Sequence, residues 1–256
     1  MGIDYSTVTE VPGNRVTRDQ LERMVHRYSF AAQFSEGKDV LEVACGAGQG
    51  LGFLAKKAKR VFGGDYTENL VKGAKGYYQE RIPLLRLDAH ILPFRTQCFD
   101  VVIIYEAIYY LTKPEDFFEE VRRVLRKGGL LLIATVNKDW SEFNSSPFST
   151  RYFSVPELSE LLQKKGFNTE MFGAFSVLPN GAKEKIIASV RKLAVILHLI
   201  PKTMKGKELL KKIFYGELKP LQGELEEGAY EYAPPVSIPS DVANHEFKVI
   251  YAVAQV

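Results

Sequence analysis

The sequence predicts an α/β fold, in which a mostly parallel sheet of seven strands carries helices on both faces and a helical insertion. From residue 39 onward, short apolar runs alternate with amphipathic stretches, the pattern of strand–helix–strand units. The run 100–105, Asp-Val-Val-Ile-Ile-Tyr, is apolar without a period of two, as a central strand covered on both faces requires. Directly after the first apolar run, glycine recurs at every second position (Gly46, Gly48, Gly50, Gly52). Such a loop brings bare backbone close to a ligand, and the helix after it aims unpaired N–H groups at the same place.

The elements follow in order. Residues 1–35 read as an N-terminal helical cover, with a turn at Pro12-Gly13-Asn14 and a helix over 17–34. That helix is capped by Thr17 and carries Leu21, Met24, Val25, Tyr28 and Phe34 at helical spacing. The core spans 36–176, with strands at 39–43, 60–64, 84–87, 100–105, 129–136 and 168–176. Helices are expected at 48–58, 67–79, 114–126 and 155–165, and Gly128-Gly129 suits a left-handed cap closing the third of these. Either Thr67 or Asp65 suits the N-cap of the helix over 67–79. Residues 244–256 return to the core through a strand at 246–254.

The stretch 177–243 breaks this rhythm and reads as an insertion folding over the carboxyl ends of the strands as a lid. Between 182 and 212 it carries nine lysines or arginines against two glutamates, with Ile186, Ile187, Val190, Leu193, Ala194 and Leu197 on one helical face. A basic amphipathic helix suits an anionic substrate or peripheral contact with a membrane surface. Equally, it suits a solvated face balanced by Glu217, Glu224, Glu226, Glu227 and Glu231.

Composition narrows the class. The chain has 256 residues, 46% hydrophobic and 25% charged, with a net charge of +3. So small a charge gives no argument for a nucleic-acid partner. Cys45 and Cys98 make no disulfide framework, and His26, His90, His198 and His245 show no metal-ligand spacing. With no secretion signal legible and no apolar run of membrane-spanning length, a cytoplasmic protein is expected.

The glycines admit a dinucleotide or S-adenosylmethionine. A dinucleotide fingerprint needs a third glycine three positions after the second, where Leu51 or Phe53 stands. What stands here is Glu42-x-Ala44-Cys45-Gly46-x-Gly48, an acidic residue on the strand followed by a G-x-G loop. It resembles motif I of the class I S-adenosylmethionine-dependent methyltransferases, with Ala44 where glycine is common.

Three further landmarks fall in that family's order. Asp65 ends the second strand, where an acidic side chain accepts ribose hydroxyls. Leu87-Asp88-Ala89-His90 resembles the adenine-binding loop after strand three. The stretches 98–107 and 125–130 resemble the strand-four and strand-five signatures of the type-11 group. The resemblance implies a Rossmann-like doubly wound sheet of seven strands, the last antiparallel, and S-adenosyl-L-methionine as cofactor. Carried over residue by residue, it implies a cofactor site of Glu42, Ala44, Gly46, Gly48, Asp65, Tyr66, Asp88 and Ala89.

Methyl transfer from a sulfonium is an in-line displacement that needs positioning and exclusion of water rather than a nucleophile triad. Aromatic faces suit the sulfonium, and Tyr28 and Tyr105 join the cofactor set on that ground. An oxygen nucleophile must lose a proton, so a base is sought: Glu106 first, then His90, then His245, with Tyr109 beside them. The acceptor pocket is expected from 1–35, from the insertion and from the aromatic loop of Trp140, Phe143, Phe148, Arg151, Tyr152 and Phe153. The acceptor is read as a small molecule, with a sugar or glycoconjugate precursor as the expected kind. A nicotinamide-dependent oxidoreductase and a non-catalytic S-adenosylmethionine-binding regulator are the alternatives; oligomeric state stays open.

Overall fold

The computed structural model describes residues 3–177 and 218–256. After a short β1 (Arg15–Val16), helix α1 (Arg18–Ser35) starts on Thr17. There a capping box is complete: Thr17 accepts from the Gln20 N–H, and the Gln20 side chain accepts from the Thr17 N–H. The core then runs β2 (Asp39–Val43), α2 (Leu51–Ala55), β3 (Arg60–Asp65), α3 (Glu68–Tyr78), β4 (Leu84–Arg86) and β5 (Phe99–Tyr105). It continues with α4 (Pro114–Val124), β6 (Leu125–Val136), α5 (Val155–Lys164) and β7 (Asn168–Ser176). After the undescribed stretch come β8 (Lys219–Pro220), β9 (Val236–Ile238) and β10 (Phe247–Gln255).

The sheet has eight strands rather than seven, in the order β4-β3-β2-β5-β6-β10-β7-β9. β10 inserts antiparallel between β6 and β7, as expected for the last strand. The additional strand, β9, pairs antiparallel with the edge of β7 over three residues. Pro234, Pro235 and Pro239 bracket it, so the sequence shows no strand period there, yet an edge tolerates neighbouring prolines that a central position would not.

Side chains of the central strands alternate between two cores. Val101, Ile103 and Tyr105 face a cluster shared with α1, α2 and α3; Val102 and Ile104 face one shared with α4 and α5. That double coverage is why β5 reads as apolar at every position from Val101 to Tyr105. At the opposite end of the sheet from the glycine loop, Asp39 is clamped by Arg60 and Arg126, which hold its carboxyl down at about 2 against the cost of burial.

Two local expectations change. Gly128 does take a left-handed φ of +73°, but α4 has already ended at Val124, and the glycine sits inside β6. Thr67 is the N-cap of α3 without a side-chain cap bond; Asp65 Oδ1 accepts from the Thr67 N–H in its place.

The described part of the 177–243 stretch is a brace beside the N-terminal segment. β8 pairs antiparallel with β1, Leu221 exchanges backbone hydrogen bonds with Gly13 and Asn14, and Leu225 N–H donates to the Gln49 carbonyl. Leu218, Leu221 and Leu225 are buried. The basic stretch 182–212 lies outside the described residues, and with it the part of the insertion that would form a lid. Among the described residues, no helix is long and apolar enough to cross a membrane.

Candidate active site

The carboxyl ends of β2, β3 and β5 and the loop after β4 open into one cavity of about 620 Å³, roofed by the N-terminal segment. Its lining gathers twelve of the fourteen cofactor and catalytic candidates singled out above: Tyr28, Glu42, Ala44, Gly46, Asp65, Tyr66, Asp88, Ala89, His90, Tyr105, Glu106 and Tyr109. Gly48 and His245 are the exceptions. Gly48 holds φ at +82° and packs where a Cβ would meet Leu51, Tyr78 and Ala74, so it shapes the loop from behind.

The loop after β2 turns through left-handed backbone at Ala44 (φ +58°), Gly46 (φ +58°) and Gly48. Alanine at the first of these carries a Cβ strain of about 1–2 kcal/mol that glycine would not. Tyr78, on α3, fastens the loop: its hydroxyl donates to the Gly48 carbonyl at 2.8 Å and accepts from the Gly52 N–H at 3.1 Å. At Gly50 the approach is closer still, since a Cβ there would run into the ring of Tyr28.

Glu42 is 2% exposed, and the Tyr28 hydroxyl donates to its Oε1 at 2.6 Å. Burial pushes its carboxyl up to about 7, against the pull of Tyr28 and Arg27. Its Oε2 is buried without a partner among the described residues, as is the Tyr105 hydroxyl. The Tyr28 and Tyr105 rings meet edge to face at 5.8 Å. A buried carboxyl oxygen without such a partner, beside aromatic rings, suits a cationic ligand group.

Asp65 is buried at the end of β3, which raises its carboxyl although backbone N–H groups oppose the shift. Its Oδ1 accepts from Thr67 N–H and its Oδ2 from Gly46 N–H, so the carboxylate ties the two loops together at the cavity wall. Asp88 Oδ1 accepts from the His90 N–H and pairs with Nδ1 at 2.6 Å. On the other side of the His90 ring, Nε2 receives the Lys113 N–H at 3.3 Å. Both ring nitrogens are engaged, and His90 clasps the loop after β4 to the start of α4.

Glu106 follows β5 with a left-handed φ of +51°, a strained conformation for a residue with a Cβ. Burial raises its carboxyl while Arg27 opposes the shift, with Arg27 Nη1 3.2 Å from Oε1. The Tyr109 hydroxyl points at Oε2 from 3.4 Å, and the Tyr109 ring stacks on Tyr152 at 4.4 Å. The aromatic loop contributes no lining residue; Tyr152 backs Tyr109, and Phe148 meets Tyr5 edge to face. His245 stands away from the cavity, its Nδ1 on the Asp139 carbonyl.

Several lining residues were not singled out from the sequence: Tyr5, Thr9, Glu10, Arg23 and Arg27. The two arginines did leave a signal. With Met24 and Tyr28 they sit three or four positions apart on one helix face, and charge on the apolar face of a covering helix marks a cavity rather than solvent.

Comparisons with known proteins match this geometry. Residues 41–133 match the family described as a methyltransferase domain. A probable S-adenosylmethionine-dependent methyltransferase of Mycolicibacterium smegmatis is 35% identical over 58% of this chain and 56% of its own. Over residues 41–133 the chain carries a methyltransferase domain, and its S-adenosylmethionine-dependent relatives point to S-adenosyl-L-methionine as the cofactor.

The chain spans about half the length of the curated relatives that it matches. The ubiquinone biosynthesis O-methyltransferase of Coxiella burnetii is 29% identical over 42% of this chain and 47% of its own. Among solved structures, a Thermotoga maritima methyltransferase described as a possible histamine N-methyltransferase superposes with a TM-score of 0.55 at 18% identity, covering 93% of this chain and 95% of its own. A [4+2]-cyclase superposes with a TM-score of 0.57 at 17% identity, over 91% of this chain and 80% of its own. These likenesses show that the methyltransferase domain has the fold expected of it.

Proposed function

We propose that the chain transfers a methyl group from S-adenosyl-L-methionine to an oxygen or nitrogen atom of a small molecule. One observation carries the reading: the glycine loop after β2, the end of β3, the loop after β4 and the end of β5 converge on a single cavity, whose lining also holds the Tyr28 and Tyr105 rings and a buried Glu42 oxygen without a partner among the described residues. When bound, the cofactor supplies an electrophilic methyl on a sulfonium. Asp65 holds the ribose hydroxyls, the loop of Asp88 and Ala89 the adenine, and Ala44 and Gly46 leave backbone room for the methionine arm. Glu42, through Oε2, takes the cationic amine.

The chain's own contribution to the chemistry is placement and proton handling. Tyr28 and Tyr105 line the cavity with rings that suit the positive charge the sulfonium carries before transfer. The roof formed by Tyr5, Val8, Thr9 and Glu10 keeps water out. Glu106 is the acid–base group for a hydroxyl acceptor: its raised carboxyl lies nearer neutrality than an exposed one, and Arg27 and Tyr109 fix its two oxygens. His90 is spoken for by Asp88 and Lys113 and acts as a clasp. The sequence-level expectation of a sugar or glycoconjugate acceptor is one member of the class this cavity admits.

Calorimetry tests the cofactor assignment. Asp65→Ala is expected to weaken S-adenosylmethionine about 10-fold or more, a change of about 1.4 kcal/mol upward. Unchanged affinity removes Asp65 from the site. Absence of binding by the unaltered chain removes the cofactor reading, and tight NADH binding in its place favours an oxidoreductase.

A further inference from the structure

The cavity extends past the strands that face the cofactor motifs. Val136, at the end of β6, and Val249, on β10, line it, and α1 crosses above them with Arg23, Met24 and Arg27 on the inner side. Arg23 stands over the ring of Phe175, on β7, at 5.3 Å. In the sheet, β7 lies four places from β2, where the glycine loop begins, whereas Asp65 and Asp88 lie on the other side of β2. Arg23 therefore sits at the end of the cavity remote from the adenine and ribose positions.

Its donors are incompletely used. Arg23 Nη2 pairs with Asp19 at 2.9 Å on the solvent side of α1, an i,i+4 pair of the weak, exposed kind. Its Nε is buried and has no partner among the described residues. One turn further, Arg27 uses Nη1 on Glu106, and its Nε too is buried without such a partner. A cofactor with a single carboxylate fills at most one of these forks. Glu10 and Glu106 are the other charged groups at this end of the lining: both face Arg27, Glu106 also lies within the electrostatic reach of Arg23, and Glu10 accepts from the Gln20 side chain. A guanidinium with a free, desolvated edge pairs bidentately with carboxylate or phosphate.

We propose that Arg23 is the anchor for an acidic methyl acceptor, holding its carboxylate or phosphate at the β10 end of the cavity. The acceptor's nucleophilic atom then lies toward Glu106 and Tyr105, between the anchor and the cofactor. Aromatic and aliphatic surface from Tyr109, Met24, Val136 and Val249 contacts the rest of the molecule. The inference rests on the methyltransferase reading and narrows its substrate class to small oxyanions.

The test titrates benzoate, phenyl phosphate and benzamide by calorimetry into the protein saturated with S-adenosylhomocysteine. Benzoate or phenyl phosphate is expected to bind at about 1 mM or tighter, and uncharged benzamide at least about 10-fold more weakly. Whichever acid binds better identifies the oxyanion. Arg23→Gln is expected to abolish the preference for the acid, Arg23→Lys to restore part of it, and both to leave S-adenosylhomocysteine affinity within about twofold.

Equal binding of acid and amide, or binding of neither, overturns the proposal. So does a parallel loss of S-adenosylhomocysteine affinity in Arg23→Gln, which would assign the arginine to the cofactor's own carboxylate. Failure of the unaltered chain to bind S-adenosylhomocysteine would instead sink the methyltransferase reading on which the proposal stands.

Discussion

Glu42 concentrates the physical tension of the site in one side chain. It is a carboxyl taken out of water, bonded on one oxygen and bare on the other. Its folded-state value of about 7 lies above the 4.5 of an ordinary glutamate, so the folded chain binds the proton more tightly than the unfolded chain. Stability from this group is fully present below pH 4.5 and is lost as pH rises to about 7, by about 3 kcal/mol in all. Glu42→Gln keeps an acceptor for Tyr28 and has no charge to bury. Relative to the unaltered chain, its thermal midpoint is expected to be similar at pH 5 and higher at pH 8, while its cofactor affinity falls. A midpoint difference independent of pH would show that Glu42 titrates normally. The placement of the carboxylate and the loop at one cavity was legible in the sequence, because their residue types and spacing suffice to announce it. The left-handed φ of Ala44 and Glu106 was not, because nothing in either side chain marks a positive φ.

At the scale of elements, legibility followed period and capping. Helix α1 declared itself through Thr17 and the apolar spacing behind it, and β5 through its unbroken apolar run. What escaped was contact between distant elements. Tyr78 on α3 holding the glycine loop, or β9 joining β7, depends on neighbours that no local pattern names. The contact of α1 with the loop yields a prediction of this kind. The Tyr28 ring abuts Gly50, so Gly50→Ala must push the ring away, and with it the hydrogen bond to Glu42. Gly50→Ala is expected to weaken S-adenosylmethionine about 10-fold or more in calorimetry while the helix content by circular dichroism stays unchanged. Retained affinity would mean that the ring can yield without loss, and that Tyr28 packs rather than binds.

The whole molecule is a sheet between two cores of unequal purpose. The face shared by α4 and α5 is packed by Phe117, Phe118, Leu158 and Leu162 and touches the roof only at its edge, where Tyr110 meets Tyr5. The other face carries α1, α2 and α3, and it extends through Leu221 and Leu225 into the brace that stitches the N-terminal segment to the glycine loop. The roof residues Tyr5 to Glu10 have little core of their own: they hang from Tyr66, Tyr110 and Thr67 at one end and from the Gly13–Leu221 bonds at the other. Loss of packing on the two faces should therefore differ in consequence though not in size. Leu221→Ala and Leu162→Ala each remove a fully or almost fully buried leucine and are expected to cost about 2–5 kcal/mol in urea unfolding. Only Leu221→Ala is expected to loosen the roof, seen as faster amide exchange over 5–14 and weaker S-adenosylhomocysteine binding. If both substitutions weaken the ligand equally, binding follows global stability. If neither does, the roof is held at the Tyr5 end alone, and the brace serves only the fold.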